Sequence, residues 1–410
     1  MSTSTVTSPV RLIMVTTENN NKVYSMTPSG NGEFLAEWGR VGGPLATKSY
    51  PMSKWDSIYR EKVKKGYKDV THLVKATTKK SGYQPIPEPA VDKLFNTLLT
   101  YARRSVTENY TISSDAVTAA QVNEAQGFVD QLTALAALGT DKDPINKLLV
   151  ELYMVIPRRM AKVQDHLLKN SVVSDAVLQE FRTIIDGEQK TLDVMAGQVK
   201  LAGADVDEDD DAPIKTILDA LGLLVTLASP QDIDIVRKHM AGDARELRSV
   251  YVVTHPMTRN KYEGHVATAA VPKTELFWHG SRNENWISIL ESGLKIRPSN
   301  AVLSGSMFGH GIYFADKYRK SAGYTSLRGA RWTGGGSSTA FLAMMDVHVG
   351  KQFSILHHSS ECYSYSEQVL RKKGNYDSVF AKGGADLINN EYIVYSDKQS
   401  TIKYLVEVGT

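Results

Sequence analysis

Phe308-Gly309-His310-Gly311-Ile312-Tyr313-Phe314-Ala315-Asp316, running on to Lys320-Ser321-Ala322-Gly323-Tyr324, gathers glycines, aromatics and small polar residues into one short stretch. Two more such segments flank it. Leu276-Phe277-Trp278-His279-Gly280-Ser281-Arg282 lies upstream, and Asn389-Asn390-Glu391-Tyr392-Ile393-Val394-Tyr395 lies downstream. Taken singly, each has an ordinary structural explanation. A histidine that ends a strand is often a satisfied structural group, and tyrosines in a β-rich domain pack in cores. A glutamate opening a strand usually faces water, and glycines serve turns. The chain has neither a G-x-x-x-x-G-K-[ST] loop nor a Rossmann fingerprint, so the common nucleotide folds are not indicated. Nothing in it has metal-ligand spacing.

These segments sit in a mixed β region that begins near residue 248. Glu275–Trp278, Gly311–Ala315, Phe341–Val349, Tyr392–Tyr395 and Ile402–Val408 read as strands, punctuated by glycine and serine. Upstream, helical periodicity runs through Val91–Arg104, Thr118–Leu138, Pro144–Val155 and Val173–Val199. Pro213–Leu227 and Pro230–Ala241 read as two further helices, each with proline near its first turn. Asp205–Asp211 is an acidic run, read as a solvated loop. At the N-terminus, Arg11–Thr17, Lys22–Met26 and Glu33–Trp38 read as short strands. A helix follows, capped by Ser53 and ending near Gly66, before the proline-bearing linker Thr77–Pro89. The expected class is α+β and multidomain: a small α+β module, an all-α bundle and a β-rich module.

Composition narrows the class. The 410 residues are 42% hydrophobic and 23% charged, the balance of a globular protein of two or three domains. No apolar run is long enough for a transmembrane helix, and no secretory signal is expected. The one cysteine, Cys362, excludes an internal disulfide framework and a cysteine-based zinc finger. Residues 1–85 hold thirteen Lys or Arg against six Asp or Glu, a balance of +7, which leaves −4 for the rest of this +3 chain. A basic N-terminal segment suits either an anionic partner or a merely solvated surface.

In this order, the three segments closely resemble the catalytic domain of the poly(ADP-ribose) polymerases, over most of residues 225–410. That resemblance implies a split antiparallel sheet carrying a His–Tyr–Glu signature, and NAD⁺ as a consumed substrate, with no metal. His279 would bond a ribose hydroxyl. Gly280 would grip the nicotinamide carboxamide through its backbone, and Ser321 would donate to it. Ser281 and Arg297 would lie along the adenosine side. Tyr313 and Tyr324 would sandwich the ring, and Glu391 would be the catalytic carboxylate. The chemistry is apt: aromatic faces hold a flat cationic ring, and a carboxylate stabilises the oxocarbenium-like charge left as nicotinamide departs. Two departures concern the acceptor side. Ser306 stands before Met307-Phe308, and Asn389 stands two residues before Glu391, where the best-known polymerases have aromatics.

Trp38-Gly39-Arg40, with Asn21-Lys22-Val23-Tyr24 and Lys65-Gly66-Tyr67, resembles the WGR domain found beside such catalytic domains. The resemblance implies DNA-end binding, with Trp38 stacking on a sugar or base and Arg40 engaging DNA and neighbouring domains. Residues 90–224 resemble the family's helical regulatory domain, most clearly at Leu148–Arg158. The expected division is therefore residues 1–82, WGR; 83–89, linker; 90–224, helical regulatory; and 225–410, catalytic. The implied protein is a DNA-break-activated poly(ADP-ribose) polymerase of the DNA damage response, modifying protein acceptors including itself. It would be nuclear in a eukaryote, cytoplasmic or nucleoid-associated in a bacterium. A mono(ADP-ribosyl)transferase with the same pocket, and an inactive DNA-end-binding scaffold, remain alternatives.

Overall fold

The computed structural model describes residues 8–71, 83–136, 141–172, 174–204, 216–296, 307–309 and 311–410. The acidic run and Arg297 lie outside the described residues, as do Ser306, His310 and residues 77–82 of the proline-bearing stretch. By internal packing the chain forms two units: residues 1–79 with 105–199, and residues 80–104 with 200–410.

The first unit opens with a five-stranded antiparallel sheet. Its strands are β1 (Val10–Val15), β2 (Asn21–Gly30), β3 (Glu33–Arg40), β4 (Leu45–Pro51) and β5 (Lys68–Asp69), in the order β4-β3-β2-β1-β5. Asn19, Gly30, Asn31 and Gly32 adopt positive φ at the hairpin turns, where Asn and Gly carry little steric cost. Helix α1 (Trp55–Lys64) closes one face, with Trp55 edge-on to Phe34 at 4.9 Å within a core of Leu12, Tyr24, Met26 and Ala36. The expected cap at Ser53 is displaced. Ser53 lies in a 3₁₀ turn, and the N-cap is Lys54, without a side-chain cap bond.

Four long helices follow: α2 (Pro89–Asn109), α3 (Ala119–Leu135), α4 (Lys142–Val155) and α5 (Asp175–Ala204). Thr118 and Gln121 form a reciprocal capping box at the start of α3, and the Gln121 amide then donates to the Val155 carbonyl at the end of α4. In the first unit, Arg158 pairs with Glu188 of α5 at 3.1 Å, both side chains buried, and its guanidinium lies over Tyr110.

The second unit holds two sheets. One has the order β6-β7-β14-β10-β8, from β6 (Leu224–Leu227), β7 (Leu247–Thr254), β8 (Thr274–Gly280), β10 (Thr339–His348) and β14 (Ser400–Gly409). The other has the order β11-β12-β13-β9, from β9 (Ile312–Phe314), β11 (Gln352–Ile355), β12 (Ser378–Ala381) and β13 (Glu391–Val394). All pairings are antiparallel except β11 with β12. Strands β10 and β14 are buried almost throughout, which their near-continuous apolar runs require. Short helices surround the sheets: α6 (Ile217–Leu221), α7 (Pro230–Met240), α8 (Pro256–Ala267), α9 (Trp286–Ser292), α10 (Tyr318–Ala322) and α11 (Glu367–Gly374). The fold class is α+β and multidomain, as the sequence indicates.

One helix expectation is corrected. Within Pro213–Leu227, α6 stops at Gly222, which takes the left-handed conformation (φ 65°). Leu224–Leu227 then pairs with β7, burying Val225 between exposed neighbours. Helical periodicity there was a strand's alternation joined to a short helix.

Candidate active site

The site is built where the two sheets meet. Trp278 of β8 and Ala315, just after β9, exchange backbone bonds of 2.8 and 3.0 Å, forming an antiparallel bridge between the sheets. His279 and Tyr313 follow from that bridge. The His279 Nδ1 lies 3.1 Å from the Tyr313 carbonyl oxygen. A carbonyl only accepts, so Nδ1 carries the proton and Nε2 presents a lone pair. Burial lowers the His279 pKa below its usual 6.5, partly offset by that same bond, and keeps the ring neutral at pH 7.

Gly280 ends β8 against α10. A Cβ there would run into the Ser321 backbone carbonyl, so only glycine permits this approach. Ser321 is buried, and its hydroxyl donates to the Trp278 carbonyl at 3.1 Å. The hydroxyl keeps lone pairs with which to accept, and it must turn to donate elsewhere. The Asn285 amide donates to the Ser281 hydroxyl at 3.0 Å.

Tyr313 is fixed at both ends. Its backbone pairs with Ile393 of β13, while its hydroxyl accepts from Phe308 N–H (3.0 Å) and donates to the Gly309 carbonyl (2.9 Å). Gly309 takes a positive φ, and a Cβ there would strike the Tyr365 backbone. Tyr324 follows α10, remains 41% exposed, and stacks on Trp332. Burial raises its pKa, with a further push from the Glu391 carboxylate.

Glu391 opens β13. Its strand entry is braced by Asn390, which donates to Asp316 (2.7 Å) and accepts from the Gly383 N–H (2.9 Å). The Glu391 side chain is only 14% exposed and ion-pairs with Lys320, itself largely buried. Lys320 also reaches the Asn390 carbonyl at 3.3 Å. Burial depresses the Lys320 pKa, while Glu391 opposes that shift. The sequence reading assigned Lys320 no role, although it lies inside the quoted segment, directly before Ser321.

His279, Gly280, Ser321, Tyr313 and Glu391 thus come from β8, β9, α10 and β13, with Tyr324 just after α10, all within the second unit. Ser281 follows directly on β8. Trp38 and Arg40 belong to the first unit. Trp38 is half-buried and stacks on Tyr24 at 5.9 Å. Arg40 donates to Asn19 (backbone and side-chain oxygens, 3.2 Å each) and to the Met160 (3.4 Å) and Ala161 (2.7 Å) carbonyls. Among the described residues, no group of three or more His, Cys, Asp and Glu could hold a metal ion. No described helix is long and apolar enough to cross a membrane.

The family model for the poly(ADP-ribose) polymerase catalytic domain matches residues 234–410. The poly [ADP-ribose] polymerase-like protein 100L of invertebrate iridescent virus 6 is 32% identical over 162 residues, 39% of this chain and 84% of that protein. An uncharacterised protein of the same virus, 101L, is 30% identical over 190 residues, 46% of this chain and 77% of that one. Poly [ADP-ribose] polymerase 1 of Xenopus laevis is 24% identical over 314 residues, 70% of this chain but 30% of that protein. A carboxylate, a neutral histidine and two tyrosines gathered at the junction of a split sheet suit cleavage of a glycosidic bond to a flat cationic ring. The chain belongs to the poly(ADP-ribose) polymerase family and is an NAD⁺ ADP-ribosyltransferase.

Proposed function

We propose that this chain builds poly(ADP-ribose) on protein acceptors, itself included, when DNA ends engage its N-terminal sheet. The observation that carries the polymerase reading is Glu391, a largely buried carboxylate held by Lys320 at the start of β13, the strand that pairs with Tyr313 of β9. In this reading His279 Nε2 accepts from a ribose hydroxyl, and Gly280 and Ser321 hold the carboxamide. Tyr313 and Tyr324 enclose the ring, while Ser281 and Arg297 follow the adenosine. As the bond from ribose C1′ to nicotinamide breaks, the electron pair leaves with the ring nitrogen and positive charge grows on the ribose. Glu391 stabilises that charge and takes the proton of the incoming hydroxyl, which attacks C1′. A hydroxyl of the preceding ADP-ribose is an acceptable nucleophile under the same base, which is what elongation needs. Lys320 holds the carboxylate in place through the ion pair.

The division into WGR (1–82), linker (83–89), helical regulatory (90–224) and catalytic (225–410) parts belongs to the same proposal. The basic balance of residues 1–85 supports a DNA partner. Half-buried Trp38 retains an accessible portion for stacking on a sugar or base. Arg40 spends its donors on backbone carbonyls of residues 160–161 and on Asn19, so its role in this reading is to couple the sheet to the helical segment as well as to meet DNA. The intracellular and, in a eukaryote, nuclear setting follows from that partner. The test is the product of labelled NAD⁺ on a denaturing gel, with and without broken DNA. A DNA-dependent ladder is expected. A single-step product would mean a mono-transferase, and no incorporation at all would leave a scaffold.

A further inference from the structure

Trp332 is the largest side chain the second unit leaves in water, 59% exposed, yet its surroundings are tightly built. Its loop is closed at the neck by Ser337 N–H to the Ser326 carbonyl (2.9 Å) and Arg328 N–H to the Ser337 carbonyl (2.8 Å). Arg282 grips the far side through the Thr333 carbonyl at 3.1 Å. Gly335 has no room for a Cβ against the Ser326 and Leu327 backbone. Trp332 is itself pinned: its N–H donates to the Gly323 carbonyl at 2.9 Å, one residue before Tyr324. The indole lies nearly parallel to the Tyr324 ring, with centroids 6.1 Å apart and planes 22° from each other. The Arg331 guanidinium lies over the indole at 4.8 Å.

An exposed tryptophan on a glycine-rich loop usually stabilises nothing by burial. Here it occupies one side of Tyr324 and leaves that tyrosine 41% exposed. Tyr324 follows a helix of only five residues and is half open to water, so its ring needs a neighbour to hold its plane. A ring already fixed in its bound orientation loses less freedom when a ligand stacks on it.

We propose that Trp332 is a positioning residue for the nicotinamide subsite: it backs Tyr324, with Arg331 as the outer layer, so that the open face of Tyr324 is presented ready to stack. The proposal rests on the reading of Tyr324 as a nicotinamide-stacking ring. Trp332 touches no reacting atom, and its contribution is to ground-state binding, which appears in KM and not in kcat.

The experiment compares the full chain with Trp332→Ala, Trp332→Phe, Tyr324→Ala and the Tyr324→Ala/Trp332→Ala double variant, all with DNA ends present. The readouts are kcat, KM for NAD⁺ and the inhibition constant of benzamide, a neutral mimic of the nicotinamide ring and amide. Trp332→Ala is expected to raise KM and the benzamide constant together, by about 3- to 10-fold, with kcat within about two-fold of wild type. Trp332→Phe keeps a stacking ring and should restore most of the loss. In the Tyr324→Ala background, Trp332→Ala should add nothing. Unchanged or lowered KM in Trp332→Ala overturns the proposal, as does an equal loss with Tyr324 absent. If Tyr324→Ala leaves benzamide inhibition unchanged, the nicotinamide reading of Tyr324 fails first, and the backing role falls with it.

Discussion

The N-terminal sheet and the catalytic sheets both set an aromatic ring beside a glycine, Trp38-Gly39 in one and His279-Gly280 and Phe308-Gly309 in the other, but they use the pairing in opposite ways. In the first unit, Trp38-Gly39-Arg40 is largely spent on structure. Trp38 packs on Tyr24, a Gly39 Cβ would strike the Pro44 carbonyl, and Arg40 donates to protein oxygens. In the second unit, Gly280 and Gly309 bring backbones together so that neighbouring side chains are left available. His279 keeps a lone pair on Nε2, and Tyr324 keeps an exposed face. A motif that satisfies its own polar groups makes a rigid joint, whereas one that leaves them open makes a site.

Breaking the chemical side of this contrast should have the largest effect. Glu391→Gln keeps size and one hydrogen bond but removes charge and basicity. Turnover should fall by about 10²-fold or more, with NAD⁺ affinity within a few-fold. Steady-state nicotinamide release and a binding titration separate the two effects, and wild-type turnover would remove Glu391 from the mechanism. Lys320→Met comes next. It leaves the carboxylate in place without its ion-pair partner. The rate should fall by roughly ten-fold at neutral pH. Steady-state nicotinamide release checks this, and turnover at the wild-type rate would restrict Lys320 to packing.

The His–Tyr–Glu pattern could be read as a resemblance because three separate segments, on β8, β9 and β13, carry it in order. What sequence alone did not reveal depends on the meeting of distant segments. The Trp278–Ala315 bridge joins strands that pair mainly with other partners. The Lys320–Glu391 contact spans α10 and β13, with no periodicity to announce it. Strands β4, β5, β7, β11 and β12 went unread. β4 is almost wholly exposed and so lacks the alternation that marks a half-buried strand, while β11 and β12 have only four residues each. Leu224–Leu227 was read as helix because its alternation is equally short.

On the structural side of the contrast, Arg40→Ala removes donors to four protein oxygens. The ratio of DNA-stimulated to unstimulated turnover should drop several-fold, and the first unit should melt earlier, by a few degrees. A melting shift with an intact stimulation ratio would leave Arg40 as a joint and nothing more.

The smallest effect is in pH. Burial lowers the pKa of His166, His265 and His279 below 6.5 in the folded chain. The unfolded chain therefore binds more protons than the folded one below that value. Stability should be full above about pH 6.5 and should decline as pH falls toward the folded pKa values. Thermal melts between pH 7.5 and 5.5 check this, and His279→Gln should flatten the slope. A melting temperature that rises on acidification would contradict the neutral assignment.

The proposed division of labour puts chemistry in the second unit and control by DNA at the first. Nicotinamide release by the intact chain, with and without duplex DNA ends, measures it most directly. The predicted result is release that DNA accelerates, with the acceleration fading as salt rises, as a phosphate-driven contact requires. Release at one rate with and without DNA ends, at any salt, would contradict it.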